Sequence, residues 1–309
     1  MTAPGFTGGD QPAAVVAAGG RPIAAAQARR RRFGANWLIH VVVIGLMVLW
    51  VVPTLGLLVN SFRPAAEVSA SPWPDALFPP WDFTLANYER VLTRDNLGDA
   101  FINSLFITIP ATVIPIVVAA FAAYAFAWMN FRFKNVLFVL VVGLLVIPLQ
   151  STLIPVLRLF AATGIAGEFL AVWLAHTGYG LPFAIYLLRN YMGGLPKEVF
   201  ESAAIDGAGP ATAFFRLALP MSVPVLASLA IFQFLFVWND LLVSLIYIGG
   251  ARSENLPLTV VVSSLVSSLG GETHFLTAAA FITMILPLIV FFSLQRYFVR
   301  GITGGAVKG

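Results

Sequence analysis

Six stretches of the chain contain no Asp, Glu, Lys or Arg: residues 33–62, 100–131, 135–157, 169–188, 217–239 and 273–295. Each is dominated by Val, Leu, Ile, Phe and Ala, and none shows the strict alternation of a half-buried strand. An α-helix needs about 20 apolar residues to cross a bilayer core, whereas an outer-membrane strand needs about 10 with alternating polarity. The pattern therefore predicts an all-α polytopic membrane protein with six transmembrane helices, with cores near 37–59, 103–128, 135–158, 169–189, 221–247 and 276–297. Pro53, Pro110, Pro115, Pro148, Pro155, Pro182, Pro224 and Pro287 fall inside these runs. Neighbouring groups in a membrane bundle re-satisfy the carbonyls that proline frees, so these prolines read as packing kinks.

Composition sharpens the class. Of the 309 residues 59% are hydrophobic and 10% charged, against about 25% charged in soluble domains, and mean hydropathy is +0.88. That excludes a water-soluble enzyme and a disordered chain alike. There is no cysteine, hence no disulfide framework, thiolate nucleophile or Cys-based metal site. His40, His176 and His274 lie on different segments without ligand spacing, so no metal is expected. The placement of charge predicts the topology. With the N-terminus inside, the inner face carries Arg21, Arg29 to Arg32, Arg132, Lys134, Arg189, Lys197, Arg216, Arg296, Arg300 and Lys308, 13 of the 18 basic residues. Arg63, Arg90, Arg94, Arg158 and Arg252 fall outside, together with nine acidic residues, Glu67, Asp75, Asp82, Glu89, Asp95, Asp99, Glu168, Glu254 and Glu272. By the positive-inside rule both termini are cytoplasmic. The Arg29 to Arg32 run is then a topology anchor rather than a nucleic-acid patch. Residues 1–32 read as a disordered cytoplasmic tail, rich at first in Ala, Gly and Pro, and 33–309 as the membrane domain. The first span is too long for a cleavable signal peptide.

Between the spans, 60–102 is a long external segment with Pro64, Pro72, Pro74, Pro79, Pro80, Trp73 and Trp81, suited to the membrane interface. Within it, Thr84 to Leu97 predicts a short interfacial helix with Leu85, Tyr88, Val91 and Leu92 on one face. A second external loop, rich in Ser and Gly, spans 249–275. The most informative segment is 190–220, on the cytoplasmic side. Pro196 suits a first helical turn, Lys197 to Asp206 are mostly good helix formers, and Gly207 stands where a left-handed C-cap is wanted. Val199, Phe200, Ala203 and Ala204 share a face of that helix. Gly209-Pro210 forces a turn, and a second short helix leads from Ala211 through Phe214 and Phe215 to Leu219-Pro220. Two short helices joined by a stiff elbow can dock into another protein and carry force, which a flexible loop cannot.

At this segment the sequence resembles a known family. ESAAIDGAGPATAFFRLALP at 201–220 is similar to the EAA loop of ATP-binding-cassette importer permeases: Glu-Ala-Ala, then Gly, nine residues, an aliphatic, any residue and Leu-Pro. Here Gly207 is followed by nine residues to Leu217, and Leu219-Pro220 closes the pattern, with Ser202 where the family usually has Ala. The extension Ile205 to Ala208, with 181–208, FLFVWNDLLVSLIYI at 234–248 and GITGGAVKG at 301–309, resembles the six-span, maltose-transporter-like carbohydrate subfamily. The resemblance covers about residues 37–309 and implies the type I importer permease fold. It further implies a heterodimer with a second permease subunit, an ABC ATPase dimer, an external solute-binding protein, a carbohydrate substrate and a prokaryotic cytoplasmic membrane.

The chain has no Gly-x-x-x-x-Gly-Lys-Ser/Thr phosphate loop, so ATP and magnesium belong to the partner ATPase and this subunit needs no cofactor of its own. Glu201 and Asp206 offer carboxylates to that partner, Ala203 and Ala208 permit close approach, Ser202 keeps a small residue in the motif, Gly207 supplies the elbow, and Leu219 and Pro220 end the motif. By resemblance, 249–275 probes the binding protein and 301–309 reaches the ATPase. Asp240 is the one carboxylate deep in a span, where a charge costs about 2.5–3.5 kcal/mol on insertion scales. With Gln233, Trp238 and Asn239 it could line a solute path; the other reading is a structural aspartate bonded between helices. Gln150 in the third span poses the same choice. Two rival functions remain at this point: the same importer for an amino acid, polyamine or phosphate, and an ion-coupled secondary transporter. The latter often shows internal repeats and several intramembrane ionisable groups; no repeat is evident here. No acid, base and nucleophile cluster at membrane depth as an enzyme would require.

Overall fold

The computed structural model describes residues 23–93, 96–249, 253–268 and 273–306, with backbone alone for 23–36, 253, 267–268 and 296–306. Every described residue in a regular element is helical. Helix α1 (Ile23–Ser61) starts inside the stretch expected to be disordered. Ala24, Ala25, Ala26, Gln27, Ala28 and the arginine run are strong helix formers, so 23–32 continue the first span rather than fray from it; residues 1–22 lie outside the described residues. Within α1, every side chain from Trp37 to Leu55 is exposed, Trp50 to 82%, and this stretch belongs to a unit of its own, Met1–Leu55.

The second unit, Gly56–Gly309, opens with a tightly bonded corner. Arg63 is 2% exposed, and its guanidinium donates to Asn60 Oδ1, to the carbonyls of Glu67 and Ser71, and to Ser71 Oγ at 2.6–3.1 Å. This wraps α2 (Ala65–Ala70) around the arginine. Helix α3 (Ala86–Thr93) forms where an interfacial helix is expected, but its inward residues are Asn87 and Val91, while Leu85 and Leu92 are exposed. Asn87 Nδ2 donates to the carbonyls of Ser61 and Arg63, so hydrogen bonding, not apolar periodicity, sets which face turns in.

Helices α4 (Leu97–Trp128) and α7 (Phe169–Met192) pack along their lengths. Buried Ala111, Ala119, Ala120 and Ala123 on α4 meet buried Ala171, Ala175 and Ala184 on α7. Small residues let membrane helices approach closely where no hydrophobic drive exists between them. Between the two lie α5 (Lys134–Gly143), extended by a tight turn Leu144–Val146, and α6 (Leu149–Thr163). The expected unbroken 135–158 span is instead bent by 102° between these pieces. The residue before a proline is pushed to extended backbone; Ile147 has ψ 118° and Pro148 ψ 129°.

Helix α8 (Lys197–Ile205) is followed by α9 (Pro210–Ala213), a π-type turn Phe214–Ala218, α10 (Leu219–Met221) and α11 (Val223–Trp238). The run Pro210–Met221 meets Val223–Trp238 at a 71° bend. The fifth span, expected over 221–247, stops at Trp238: Asn239 leaves the helix with ψ 0°, and α12 (Leu242–Tyr247) restarts the chain. Asn and Asp offer the backbone local alternatives to helix. Inside the expected 249–275 loop, α13 (Leu258–Ser268) packs on α4 and on α14 (Thr273–Ala306), and its first N–H donates to Ser104 Oγ at 2.7 Å. Among the described residues four helices, Trp37–Ser61, Leu97–Trp128, Phe169–Met192 and Thr273–Gln295, are long and apolar enough to cross a membrane; counting each bent pair as one span gives the expected six.

Candidate functional site

The elbow follows local rules throughout. Helix α8 ends in a Schellman motif: the Ala208 N–H reaches the Ala203 carbonyl at 2.9 Å and the Gly207 N–H the Ala204 carbonyl at 3.1 Å. Such closure requires a left-handed residue, and Gly207 supplies it with φ +83°. Gly209 then runs extended and Pro210 takes a first-turn position of α9, where its missing N–H costs nothing.

Of the face Val199, Phe200, Ala203 and Ala204, only Phe200 is buried; Val199 and Ala204 are exposed. Phe200 stacks on Trp128 at the end of α4, with ring centroids 3.9 Å apart. Glu201, Ser202, Ala203, Asp206, Gly207 and Ala208 sit on α8 and the turn after it, whereas Leu219 and Pro220 lie at the far end of the second leg, beside the bend into α11. Glu201, Ser202, Asp206, Gly207 and Pro220 are exposed, and Ala203, Ala208 and Leu219 half-buried. Ser202 Oγ is turned back to the Glu198 carbonyl. Ile205, which the sequence reading names only as the start of the extension and not as a docking residue, is 87% exposed at the apex. A hollow of about 370 Å³ opens between the two legs, lined by Ala203, Asp206, Ala208, Thr212 and Arg216. The tip thus presents an apolar knob, two carboxylates and an open notch on a stiff support.

Most of the residues offered for a solute path bond to other groups of this chain. Gln233 is buried and donates to the Ala111 carbonyl at 3.2 Å, in space left by Gly180, where a Cβ would stand 2.7 Å from its Oε1. Trp238 Nε1 donates to the Thr283 carbonyl. Asn239 is exposed, its Nδ2 on the Leu235 carbonyl. Gln150 is exposed on α6, just past the bend. Asp240 accepts the Val243 and Ser244 N–H groups and the Ser244 hydroxyl, starting α12, while Thr259 Oγ1 donates to its carbonyl at 2.6 Å.

Two groupings escaped the sequence reading. His176, wholly buried on α7, places Nε2 3.5 Å from Asp240 Oδ2 with its ring edge-on to Phe236. Beyond it, Thr152 Oγ1 donates to Tyr179 OH, which pairs with Tyr247 OH at 2.9 Å. An ionisable histidine inside an apolar run was the available signal for the first; nothing local marks the second. Among the described residues no group of three or more His, Cys, Asp or Glu could hold a metal ion.

Comparison with known proteins agrees with this geometry. The family described as "Binding-protein-dependent transport system inner membrane component" matches residues 115–304. The osmoprotective compounds uptake permease protein GgtD of Synechocystis is 53% identical over 91% of this chain and 95% of its own length. The alpha-glucoside transport system permease protein AglG of Rhizobium meliloti is 46% identical over 74% of this chain and 61% of its own. The arabinooligosaccharides transport system permease protein AraQ of Halalkalibacterium halodurans is 32% identical over 89% and 97%. In three dimensions the chain resembles a subunit of a bacterial ABC transporter that imports the acidic polysaccharide alginate, with TM-score 0.65 over 88% of this chain and 99% of that one, at 13% identity. A notched helical elbow on a multi-pass helical body, matched over most of its length by transport permeases, has one reading: the chain belongs to the binding-protein-dependent transport system inner membrane component family, the permease subunits of ABC importers.

Proposed function

We propose that this chain is one of two different permease subunits in an importer powered by a separate ATPase pair, fed by an external solute-binding protein, and that its solute is a sugar or oligosaccharide. The observation that carries the reading is the exposed, capped elbow at 197–221, with Glu201, Asp206 and Ile205 around a notch. In this reading the tip seats in a cleft of the ATPase, and closure of the nucleotide-bound pair tilts the spans from inward-open to outward-open. Both termini and the elbow then lie on the cytoplasmic side, in keeping with the distribution of Lys and Arg. The sugar assignment is supported by relatives named for alpha-glucoside and arabinooligosaccharide transport. A second solute class, osmoprotective compounds, is favoured by the name of the 53% identical GgtD.

The test is uptake by proteoliposomes holding both permeases and the ATPase, with the binding protein outside. Radiolabelled maltose, methyl α-glucoside, glycine betaine and glutamate serve as the panel. ATP-dependent uptake of a glucoside, insensitive to a protonophore, is expected. Uptake that collapses with the proton gradient and ignores ATP would sink the ATPase coupling; uptake of betaine or glutamate alone would overturn the sugar assignment. In cells, Ser202→Cys should react with an impermeant maleimide only after the membrane is opened.

A further inference from the structure

We infer that the aromatic stripe Phe121–Tyr124–Trp128 on α4 is the seat through which the elbow hands its motion to the α4/α7 pair. This rests on the ATPase coupling proposed above. The three rings stand at i, i+3 and i+7, one face of a helix. Each leg of the elbow places a ring on that face. From α8, Phe200 stacks on Trp128 at 3.9 Å with the planes 19° apart. From the other leg, Phe214 stacks on Phe121 at 4.7 Å and leans on Tyr124 at 5.2 Å. Phe200 and Phe214 are both buried, on the side of the elbow away from the exposed Glu201, Ile205 and Asp206.

Chain continuity gives a weaker link. The second leg enters α11 through the π-type turn Phe214–Ala218 and the 71° bend at Ser222, two irregularities in series that can flex. The ring contacts instead hold α4 at points about one to two turns apart, which resists both sliding and rotation. Trp128 also binds the far side of the pair, its Nε1 donating to the carbonyl of Met192, the last residue of α7, at 3.0 Å. With the alanine seam behind it, pulling Phe200 pulls α4 and α7 together. Phe200, Phe214 and Trp128 are positioning residues: they touch neither nucleotide nor solute.

The experiment uses the full reconstituted complex and measures solute taken up per ATP hydrolysed, with whichever of the radiolabelled panel solutes the wild type imports. Phe200→Leu keeps an apolar plug but loses the stack. The expected result is a fall in that ratio of about two- to twelvefold, the population change that loss of one ring pair corresponds to, with the ATPase still co-purifying. Phe200→Tyr, which restores a ring, should recover it. A role in packing alone lowers the amount of complex and leaves the ratio per complex unchanged, and that result overturns the inference. Should Phe200→Leu fail to assemble, Phe121→Leu decides on the same readout, since Phe121 is 47% exposed and outside the packed core. Wild-type complex with no ATP-dependent uptake would overturn the functional reading itself; wild-type uptake with unaltered ratios in the leucine variants overturns only the seat.

Discussion

Replacing Gly207 separates backbone conformation from packing at the elbow. Its φ is +83°, and a Cβ built there meets nothing within 4 Å. A side chain therefore costs nothing through collision; the penalty is that of holding an L-residue in the left-handed region, about 1–2 kcal/mol for Ala. Asn tolerates that region better and a β-branched residue worst. Both closing bonds, at 2.9 and 3.1 Å, depend on this conformation, so Ala should shift the elbow toward open forms by a factor of about 5–30. Where the closed form is the binding-competent one, apparent affinity falls with its population. The expected order of ATPase affinity is Gly, then Asn, then Ala, then Val, with equal amounts of permease in the membrane. Titrating fluorescent ATPase onto permease in nanodiscs reads it directly. The decisive comparison is Asn with Ala. If the site obeyed size, the larger Asn would bind worse; that order, or Val binding as well as Gly, would refute the reasoning.

Three further outcomes follow from contacts elsewhere. Gly180→Ala places a Cβ 2.7 and 2.8 Å from the Gln233 amide, the movable end of that side chain, and pushes it off the Ala111 carbonyl; the cost should be about the 0.5–1.5 kcal/mol of that hydrogen bond, and the double variant with Gln233→Ala should melt no lower than Gln233→Ala alone, a non-additivity visible in thermal melts of the detergent-solubilised protein. Arg63→Met removes a buried guanidinium from four acceptors and should cost at least the about 1.5–3 kcal/mol of one charge-assisted bond, while Arg158→Met, on an exposed site, should leave the melt unchanged. Asp240→Ala strips α12 of its acceptors and should cost about 0.5–2 kcal/mol; Asp240→Asn keeps an acceptor and should melt near wild type with uptake per complex intact, and lost uptake in that stable variant would return Asp240 to the solute path.

The parts of the structure legible in sequence are those governed by composition or by local chemistry. The apolar runs announce spans because lipid tolerates little else, and the elbow is readable because Gly207, Gly209 and Pro210 each act within a few residues. The breaks were harder. Pro53, Pro110, Pro115, Pro155, Pro182 and Pro287 all sit inside helices, while Pro148 stands at a break, just before the first residue of α6; a proline's own chemistry is the same in both cases, and surrounding helices decide whether its neighbour stays helical. Asn239-Asp240 carried a local signal that the apolar run masked. The ring stripe on α4 and the His176–Asp240 pair join residues 64 or more positions apart, and no periodicity in either segment reports its partner.

The polar side chains at membrane depth bear on where the solute is chosen. Gln233, Trp238 and Asn239 spend their donors on carbonyls of this chain, and both Asp240 oxygens accept backbone N–H groups of α12. Each bond removes a cost that an unmade polar group would carry in hydrocarbon, so these residues stabilise breaks and crossings before they can greet a ligand. Of the five path candidates, Gln150 alone is exposed without a side-chain bond among the described residues, at the lip of the 102° bend. A neutral, hydroxyl-rich solute needs many convergent donors and acceptors to be told from its isomers, because discrimination comes from leaving buried polar groups unpaired when the wrong one binds. One glutamine cannot provide that. In the proposed assembly these residues leave discrimination to other groups, and Gln150→Leu should change the uptake rate for every accepted solute by a similar factor rather than reorder the panel.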